Sequence, residues 1–165
     1  MKKLLLNVLA TGALFAMPNS GLSLKVSSLS VKGIGAKNNN TAFAIEKRMV
    51  RPSGATFALG FQYANLKSDT AGMDDYSFGE MYFGIGITKF LPNNFEIYVM
   101  PKLYAGRISN NLISKGTWSY TGAIGAAYNI DKISVGIEAE LGKTKIVSKT
   151  THTRNSIGVY ATLHF

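Results

Sequence analysis

The residues that could carry out catalysis are few in this sequence of 165 residues. His152 and His164 are its two histidines, and the region around His152 offers the hydroxyl of Ser148 but no acidic residue. Nucleophilic catalysis needs a nucleophile, a base and an acid close together. We therefore expect a protein that is not an enzyme.

Cofactor and metal sites are not indicated either. Gly142-Lys143-Thr144 resembles the end of a phosphate-binding loop, but Ile137 stands where that loop requires an earlier glycine. Two histidines at separate places do not make a histidine-rich metal site, and the chain has no cysteine. We expect neither a cofactor nor a metal ion.

Charged side chains recur on one face of segments in which apolar and polar residues alternate. Glycine, alanine, serine and threonine make up most of that face, which suits the inside of a narrow barrel. Its charged members are the acids Glu46, Glu80, Glu96, Glu138 and Glu140 and the bases Lys25, Arg48 and Lys102. Buried carboxylates are unfavourable unless they are paired. We therefore predict an internal network of these acids, the bases and nearby tyrosines, with side chains that fill the lumen.

Strand periodicity is clearest at the C-terminus, in residues 155–165. One parity is apolar, and small or polar residues occupy the other. The apolar set is Ile157, Val159, Ala161, Leu163 and Phe165. This alternation predicts a strand with one apolar face that runs to the last residue.

Seven further segments have strand character, and their connections alternate between short and long. Short turns are predicted at 51–54, 91–94 and 129–132, and longer loops at 67–77, 107–116 and 144–154. An even strand count with short turns at one end and longer loops at the other is typical of outer-membrane barrels. We expect a bulge at Ser27-Ser28, where the first strand (22–34) changes parity, and another at Pro101, which lacks a backbone donor.

The N-terminus has the layout of a secretory signal peptide. Lys2 and Lys3 precede an apolar run over 4–16, and a break over 17–20 follows. The run is shorter than the roughly 20 residues that a membrane-spanning helix needs. We predict a signal peptide over residues 1–20 and one β-barrel domain over residues 21–165.

Both faces of the strands together predict an all-β fold, an eight-stranded antiparallel up-and-down transmembrane β-barrel. An open strand edge finds no hydrogen-bond partners in hydrocarbon, so the sheet must close. Trp118, Tyr120 and Tyr128 lie on the apolar face near strand ends, where aromatic rings prefer the headgroup level. The alternative is a secreted soluble barrel that turns its apolar face inward and binds a small apolar ligand.

From Thr41 to Phe165 the sequence resembles the family of small bacterial outer-membrane β-barrel proteins, which are often described as porin-like. The resemblance is carried by Gly-Ile-Gly-Ile-Thr-Lys-Phe-Leu-Pro-Asn-Asn-Phe-Glu-Ile-Tyr-Val at 84–99, by the block at 122–139 and by the ending Asn-Ser-Ile-Gly-Val-Tyr. It implies a strand, a short turn and a strand in each block, and a location in the bacterial outer membrane. In that family a C-terminal aromatic residue helps the assembly machinery to recognise the chain, and Phe165 holds the matching position.

The region around the predicted loop 144–154 is basic. It contains Lys143, Lys145, Lys149 and Arg154. These residues could contact the phosphates of lipopolysaccharide, and a solvated basic loop is the alternative. The expected partners are outer-membrane lipids, including lipopolysaccharide, and the assembly machinery, with the protein a monomer. Nucleic-acid binding is not expected, since no surface that combines aromatic and basic residues is evident.

The sequence thus predicts a non-enzymatic integral outer-membrane protein. Its role would be structural, or it would interact with other surfaces through its external loops. A narrow porin-like channel is an alternative within the same fold, and a lumen filled by polar side chains argues against it.

Overall fold

The computed structural model describes residues 20–69, 72, 74–146 and 150–165, and the predicted signal peptide at 1–20 falls almost entirely outside this part of the chain. The strands are β1 Ser20–Lys32, β2 Asn40–Val50, β3 Ala55–Leu66, β4 Tyr76–Phe90, β5 Phe95–Ser109, β6 Ser114–Ile130, β7 Ile133–Ile146 and β8 Thr151–His164. Each strand pairs antiparallel with the next, and β1 pairs with β8 to close the barrel. The predicted fold class is confirmed. Within the described ranges, no helix is long and apolar enough to cross a membrane.

The first strand keeps one register along its whole length. It pairs with β8 without interruption from Gly21 opposite His164 to Lys32 opposite Thr153, and its pairing with β2 is also continuous. The predicted bulge at Ser27-Ser28 is therefore wrong. The change of hydrophobic parity has another cause, because Leu29 and Val31 point into the lumen and are buried there.

Pro101 is also accommodated without an extra residue. It lies opposite Gly122 in a continuous β5–β6 ladder, while the β4–β5 ladder lacks the two pairs at Ile85 and Gly86 and then resumes in the same register. The predicted bulge is wrong here as well. The missing donor of proline interrupts the ladder locally and does not shift it.

The barrel has a turn end and a loop end. Connections 51–54, 91–94 and 131–132 form the turn end, where β1 begins and β8 ends; connections 33–39, 67–75, 110–113 and 147–150 form the loop end. Asn93 and Asn94 both have positive φ, a conformation that asparagine tolerates well in tight turns. The turn end therefore has the short connections that were predicted.

Two of the predicted long loops are mostly strand. The β5–β6 hairpin stays paired up to Ser109 opposite Ser114, and the β7–β8 hairpin up to Lys145 opposite Thr151. The predictions of long loops at 107–116 and 144–154 are therefore wrong. With 17 residues, β6 exceeds the about 9–11 residues that a tilted membrane-spanning strand requires. These hairpins extend the barrel wall at the loop end.

Apolar side chains cover the outside of the barrel. Ile137, for example, is 60% exposed and Val159 is also 60% exposed. The exposed set includes Leu24, Phe43, Leu59, Phe61, Phe83, Ile85, Val99, Ile124, Leu141, Ile157 and Leu163. The alternative of a soluble barrel with these residues inside is wrong, because they point away from the lumen.

Two glycines on neighbouring strands differ sharply in their surroundings. A Cβ added at Gly142 on β7 would collide with the backbone oxygen of Tyr120 and with Thr121, whereas one added at Gly122 on β6 would meet no atom within 4 Å. The backbone of β6 lies so close to Gly142 that a side chain does not fit there.

We expect Gly142→Ala to lower the free energy of unfolding by about 1–3 kcal/mol, the usual effect of forcing extra atoms into a packed site. Gly122→Ala is the matched control and should leave stability within about 0.5 kcal/mol of wild type. Urea unfolding of the refolded protein measures both variants. Equal stability of the two would contradict the close packing around Gly142.

Candidate functional site

A cluster of charged side chains occupies the middle of the lumen, and Lys102 lies at its centre. Its Nζ donates to Glu46 Oε2 at 3.3 Å, to Glu138 Oε2 at 2.9 Å and to Glu140 Oε1 at 3.0 Å. Lys25 on β1 also binds Glu138, and it donates to Glu140 Oε1 at 2.9 Å. These side chains are all buried. Two ammonium groups are thus held among three carboxylates inside the wall.

Arg48 extends the cluster toward the turn end. Its Nε and Nη2 both donate to Glu46 Oε1, at 2.9 and 2.7 Å, and Nη2 also donates to the hydroxyl of Tyr98 at 3.0 Å. Its Nη1 lies 3.8 Å from Glu96 Oε1. The guanidinium carbon stands 4.0 Å from the centroid of the Tyr98 ring, within cation–π range. Arg48 therefore links the central carboxylates to Glu96.

Three tyrosine hydroxyls complete the coordination of the carboxylates. Each donates to one acid. The bonds are Tyr82 to Glu46 Oε2 at 2.9 Å, Tyr98 to Glu138 Oε2 at 2.5 Å and Tyr104 to Glu140 Oε2 at 2.6 Å. Hydrogen bonds to a charged acceptor are among the stronger ones in proteins. The three carboxylates therefore accept hydrogen bonds from several strands at once.

Glycines on the neighbouring strands make room for these rings. Tyr82 lies directly opposite Gly60, and Tyr98 lies opposite Gly125. A Cβ at either glycine would overlap the ring of its tyrosine partner. At these two places on the inner face, a large side chain on one strand is therefore paired with a glycine on the next strand.

A second ion pair lies nearer the loop end. Arg154 on β8 is fully buried and binds Glu80 on β4, and its guanidinium carbon stands 3.9 Å from the centroid of the Tyr104 ring. Glu80 Oε1 also accepts from Thr117 at 3.2 Å and from Ser119 at 2.8 Å. Arg154 is thus part of the lumen.

Apolar side chains fill the lumen beyond this pair. We call this set the apolar plug. It consists of Leu29, Val31, Ala36, Ala42, Ala64, Leu66, Tyr76, Phe78 and Ile108, all of them buried. Above the plug, the first two loops are joined by a backbone bond from Lys37 to Lys67 at 2.7 Å and one from Asp69 to Gly35 at 2.9 Å. The loop end is therefore closed by packed side chains and by paired backbone.

The turn end holds an open vestibule of about 610 Å³ with a mixed lining that includes Arg48, Glu96 and His164 as well as Val50 and Phe90. His164 Nε2 contacts the hydroxyl of Ser134. The other histidine, His152, lies on β8 at the opposite end, with Nδ1 3.2 Å from the backbone oxygen of Lys32. Within the described part of the chain, no three histidines or acids are placed to hold a metal ion.

Basic residues line the outside of the wall at the loop end. Lys143 lies beside Tyr120 on one neighbouring strand and beside Thr153 on the other, and Thr153 lies beside Lys32. Two residues further along β7, on the same face, Lys145 lies beside Trp118. We call Lys32, Lys143 and Lys145 the basic strip; all three are exposed. The strip is bordered by two exposed aromatic rings.

No family model matches the sequence, and no curated protein is similar to it. Among solved structures, the chain is similar to Neisserial surface protein A, with a TM-score of 0.72 and 11% identity over 89% of this chain and 96% of that chain. It is also similar to Ail, the attachment invasion locus protein of Yersinia pestis, with a TM-score of 0.62 and 15% identity over 90% of this chain and 99% of that chain. The chain has the fold of a small bacterial outer-membrane β-barrel.

A further similar structure is that of Yersinia pestis Ail in complex with the heparin analogue sucrose octasulfate. Its TM-score is 0.60, with 13% identity over 90% of this chain and 100% of that chain. At these identities the similarity lies in the fold. The resemblance to small outer-membrane barrels that the sequence indicated is confirmed at that level.

The barrel brings together most of the residues that were assigned to an internal network. Glu46, Arg48, Lys102, Glu138 and Glu140 are joined by ion pairs, with Lys25 among them. Glu96 lies at the edge of this group, and Glu80 belongs to the second ion pair with Arg154.

The prediction that Arg154 contacts an external anion is wrong, because its side chain is buried in the lumen. It shares the parity of Ser156 and Tyr160, two other inward residues of β8, and that parity was the signal that the sequence offered. Lys143 and Lys145 lie on the wall of the barrel and are exposed, whereas Lys149 lies outside the described residues.

We expect Glu138→Gln to destabilise the barrel by about 3–5 kcal/mol, the range for removing one partner from a buried ion pair. The substitution leaves Lys25 and Lys102 with fewer carboxylate oxygens and removes an acceptor of Tyr98. Urea unfolding of the refolded protein measures the loss.

Glu96→Gln is the matched control, since the nearest atom of its ion-pair partner Arg48 lies 3.8 Å away. Glu96→Gln should lower the free energy of unfolding much less than Glu138→Gln does. If both variants unfold at the same urea concentration as wild type, the lumen charges do not stabilise the barrel.

Proposed function

We propose that the protein is a non-enzymatic integral protein of the bacterial outer membrane, a monomer surrounded by lipid. The fold supports this proposal together with the apolar outer face, on which residues such as Ile85, Val99 and Ile137 are exposed. A closed barrel satisfies every backbone group internally, as a spanning structure must in hydrocarbon. The role of the lumen network is structural: it holds opposite walls together.

The filled lumen favours a structural barrel over a narrow channel. Charged and tyrosine side chains occupy the middle of the barrel, and the apolar plug closes the loop end. Water would have to displace both to form a continuous path. We infer that the protein does not conduct ions, and recording in planar bilayers tests this inference.

The basic strip supports binding of lipopolysaccharide at the loop end. Exposed aromatic rings prefer the headgroup level, and Trp118 and Tyr120 lie beside Lys145 and Lys143, which supports a headgroup level at the height of these lysines. Lysine ammonium groups at that height face lipid phosphates, and each contributes about 1 kcal/mol to binding an anionic surface. We propose that these three lysines contact phosphate groups of lipopolysaccharide. The ligand in the similar Ail structure, sucrose octasulfate, is also a polyanion, as lipopolysaccharide phosphates are.

Membrane placement is tested by separating membrane from soluble fractions and running the extracted protein on gels with and without boiling. We expect a membrane band whose mobility changes on heating, because a closed barrel stays folded in detergent until it is boiled. Recovery in the soluble fraction without such a band would contradict the proposal.

Fractionation also tests a role for Phe165. We propose that its exposed ring, at the end of the strand that closes the barrel, is recognised by the assembly machinery. Phe165→Ser should reduce the heat-modifiable band in cells but not after refolding in detergent. Equal yields in cells would argue against this role.

Lipopolysaccharide binding is tested with the triple variant Lys32→Gln, Lys143→Gln and Lys145→Gln. We expect its affinity for purified lipopolysaccharide to fall at least about tenfold, and its dependence on salt to weaken, because three phosphate contacts are lost. The double variant Arg51→Gln and Lys132→Gln removes two charges at the turn end and serves as the control for the double variant Lys143→Gln and Lys145→Gln, which removes two charges of the strip. Equal losses in the two double variants would show that net charge alone governs binding.

A further inference from the structure

A furrow runs over the outside of the barrel across β4 to β8. Its volume is about 510 Å³, and it is bordered by isoleucines on several strands. Ala126 forms part of its floor between Ile97 and Ile137, its neighbours on the two adjacent strands. Ala139 forms the next part, between Ile124 and Ile157. Small outward residues between large ones therefore make a channel in the apolar surface.

One end of the furrow carries a positive charge. Lys89 lines it and is exposed, and it lies in the same cross-strand row as Ile97 and Ala126. It is the second-last residue of β4, close to the turn end, whereas Ile157 lies in the middle of β8. The furrow thus begins at the edge of the apolar band and runs toward its centre.

The length of the furrow suits a lipid acyl chain. From Lys89 on β4 to Ile157 on β8 the surface spans four strand spacings, or about 19 Å at about 4.8 Å each. Because strands of such barrels tilt by about 35–45° from the axis, this path rises along the axis by about 11–14 Å, which fits within the roughly 15 Å of hydrocarbon in one leaflet. A chain that lies in the furrow would place its headgroup beside the Lys89 ammonium.

We propose that the furrow binds one phospholipid with an anionic headgroup, in the leaflet at the turn end. Its acyl chain lies over Ala126 and Ala139, and its headgroup phosphate contacts Lys89. This inference rests on the proposed membrane placement. The proposed site lies at the opposite end of the outer wall from the basic strip, so the two lipid contacts are separate.

A second depression on the same wall offers an internal control. Its volume is about 570 Å³, and its described lining residues, among them Leu24, Val135 and Ala161, include no basic side chain. The two depressions adjoin at Ile137, which lines both, and they are similar in size and in apolar character. They differ in that Lys89 lies at one end of the furrow only, and this positive charge is the feature that selects an anionic headgroup.

The test uses the folded full chain in detergent, mixed with palmitoyl-oleoyl phosphatidylglycerol or the corresponding phosphatidylcholine, and native mass spectrometry counts the retained lipids. Wild type should retain one phosphatidylglycerol with about a five-fold preference over phosphatidylcholine, the factor that corresponds to about 1 kcal/mol for one lysine at a membrane surface. Lys89→Gln should remove the preference and keep a weaker apolar retention. Ala139→Leu should reduce retention of both lipids, whereas Ala161→Leu should match wild type.

Two outcomes would overturn the site. If Ala139→Leu retains as much lipid as Ala161→Leu, the furrow holds no lipid. If Lys89→Gln keeps the preference for phosphatidylglycerol, the Lys89 charge does not select the headgroup. The heat-modifiable band of each variant is recorded in parallel. Absence of the heat-modifiable band in wild type would contradict the membrane placement itself. Variants that show the band but retain lipid as wild type does would contradict the lipid site alone.

Discussion

The ammonium group of Lys102 lies inside a closed wall of strands, where bulk water does not solvate it. An unpaired charge in that position is strongly unfavourable, so it must be surrounded by acceptors. Glu46, Glu138 and Glu140 supply them from β2 and β7, two strands that are not neighbours of β5. The need to pair this charge therefore connects distant parts of the wall through the lumen.

That pairing places demands on the rest of the inner face. Long charged side chains and tyrosine rings fit only if the facing positions are small, and the strands provide glycine opposite Tyr82 and Tyr98. The outer face is free of this constraint, since its side chains stand apart from the lumen. Alternation along each strand thus separates two kinds of packing: a crowded interior matched in pairs, and an apolar exterior with room for lipid.

Strand periodicity was sufficient to predict the fold, because one buried and one exposed face fix the inward parity of every strand. It failed where the inside is itself apolar. Leu29 and Val31 broke the expected pattern of β1, and the continuous ladder shows that they belong to the apolar plug. Likewise, Arg154 looked like a loop residue because basic residues surround it, although its parity is inward. Partners within the network could not be predicted, since they depend on how the closed barrel aligns strands that are far apart in sequence.

Lys25 has a consequence for how the barrel can open. It lies on β1 and reaches past β8 to Glu138 and Glu140 on β7, across sequence separations of 113 and 115 residues. These contacts cross the seam where the first and last strands meet, and they require that the two strands lie side by side. Lys25 therefore joins the two sides of the seam through the lumen, and lateral opening of the barrel between β1 and β8 would have to break these contacts.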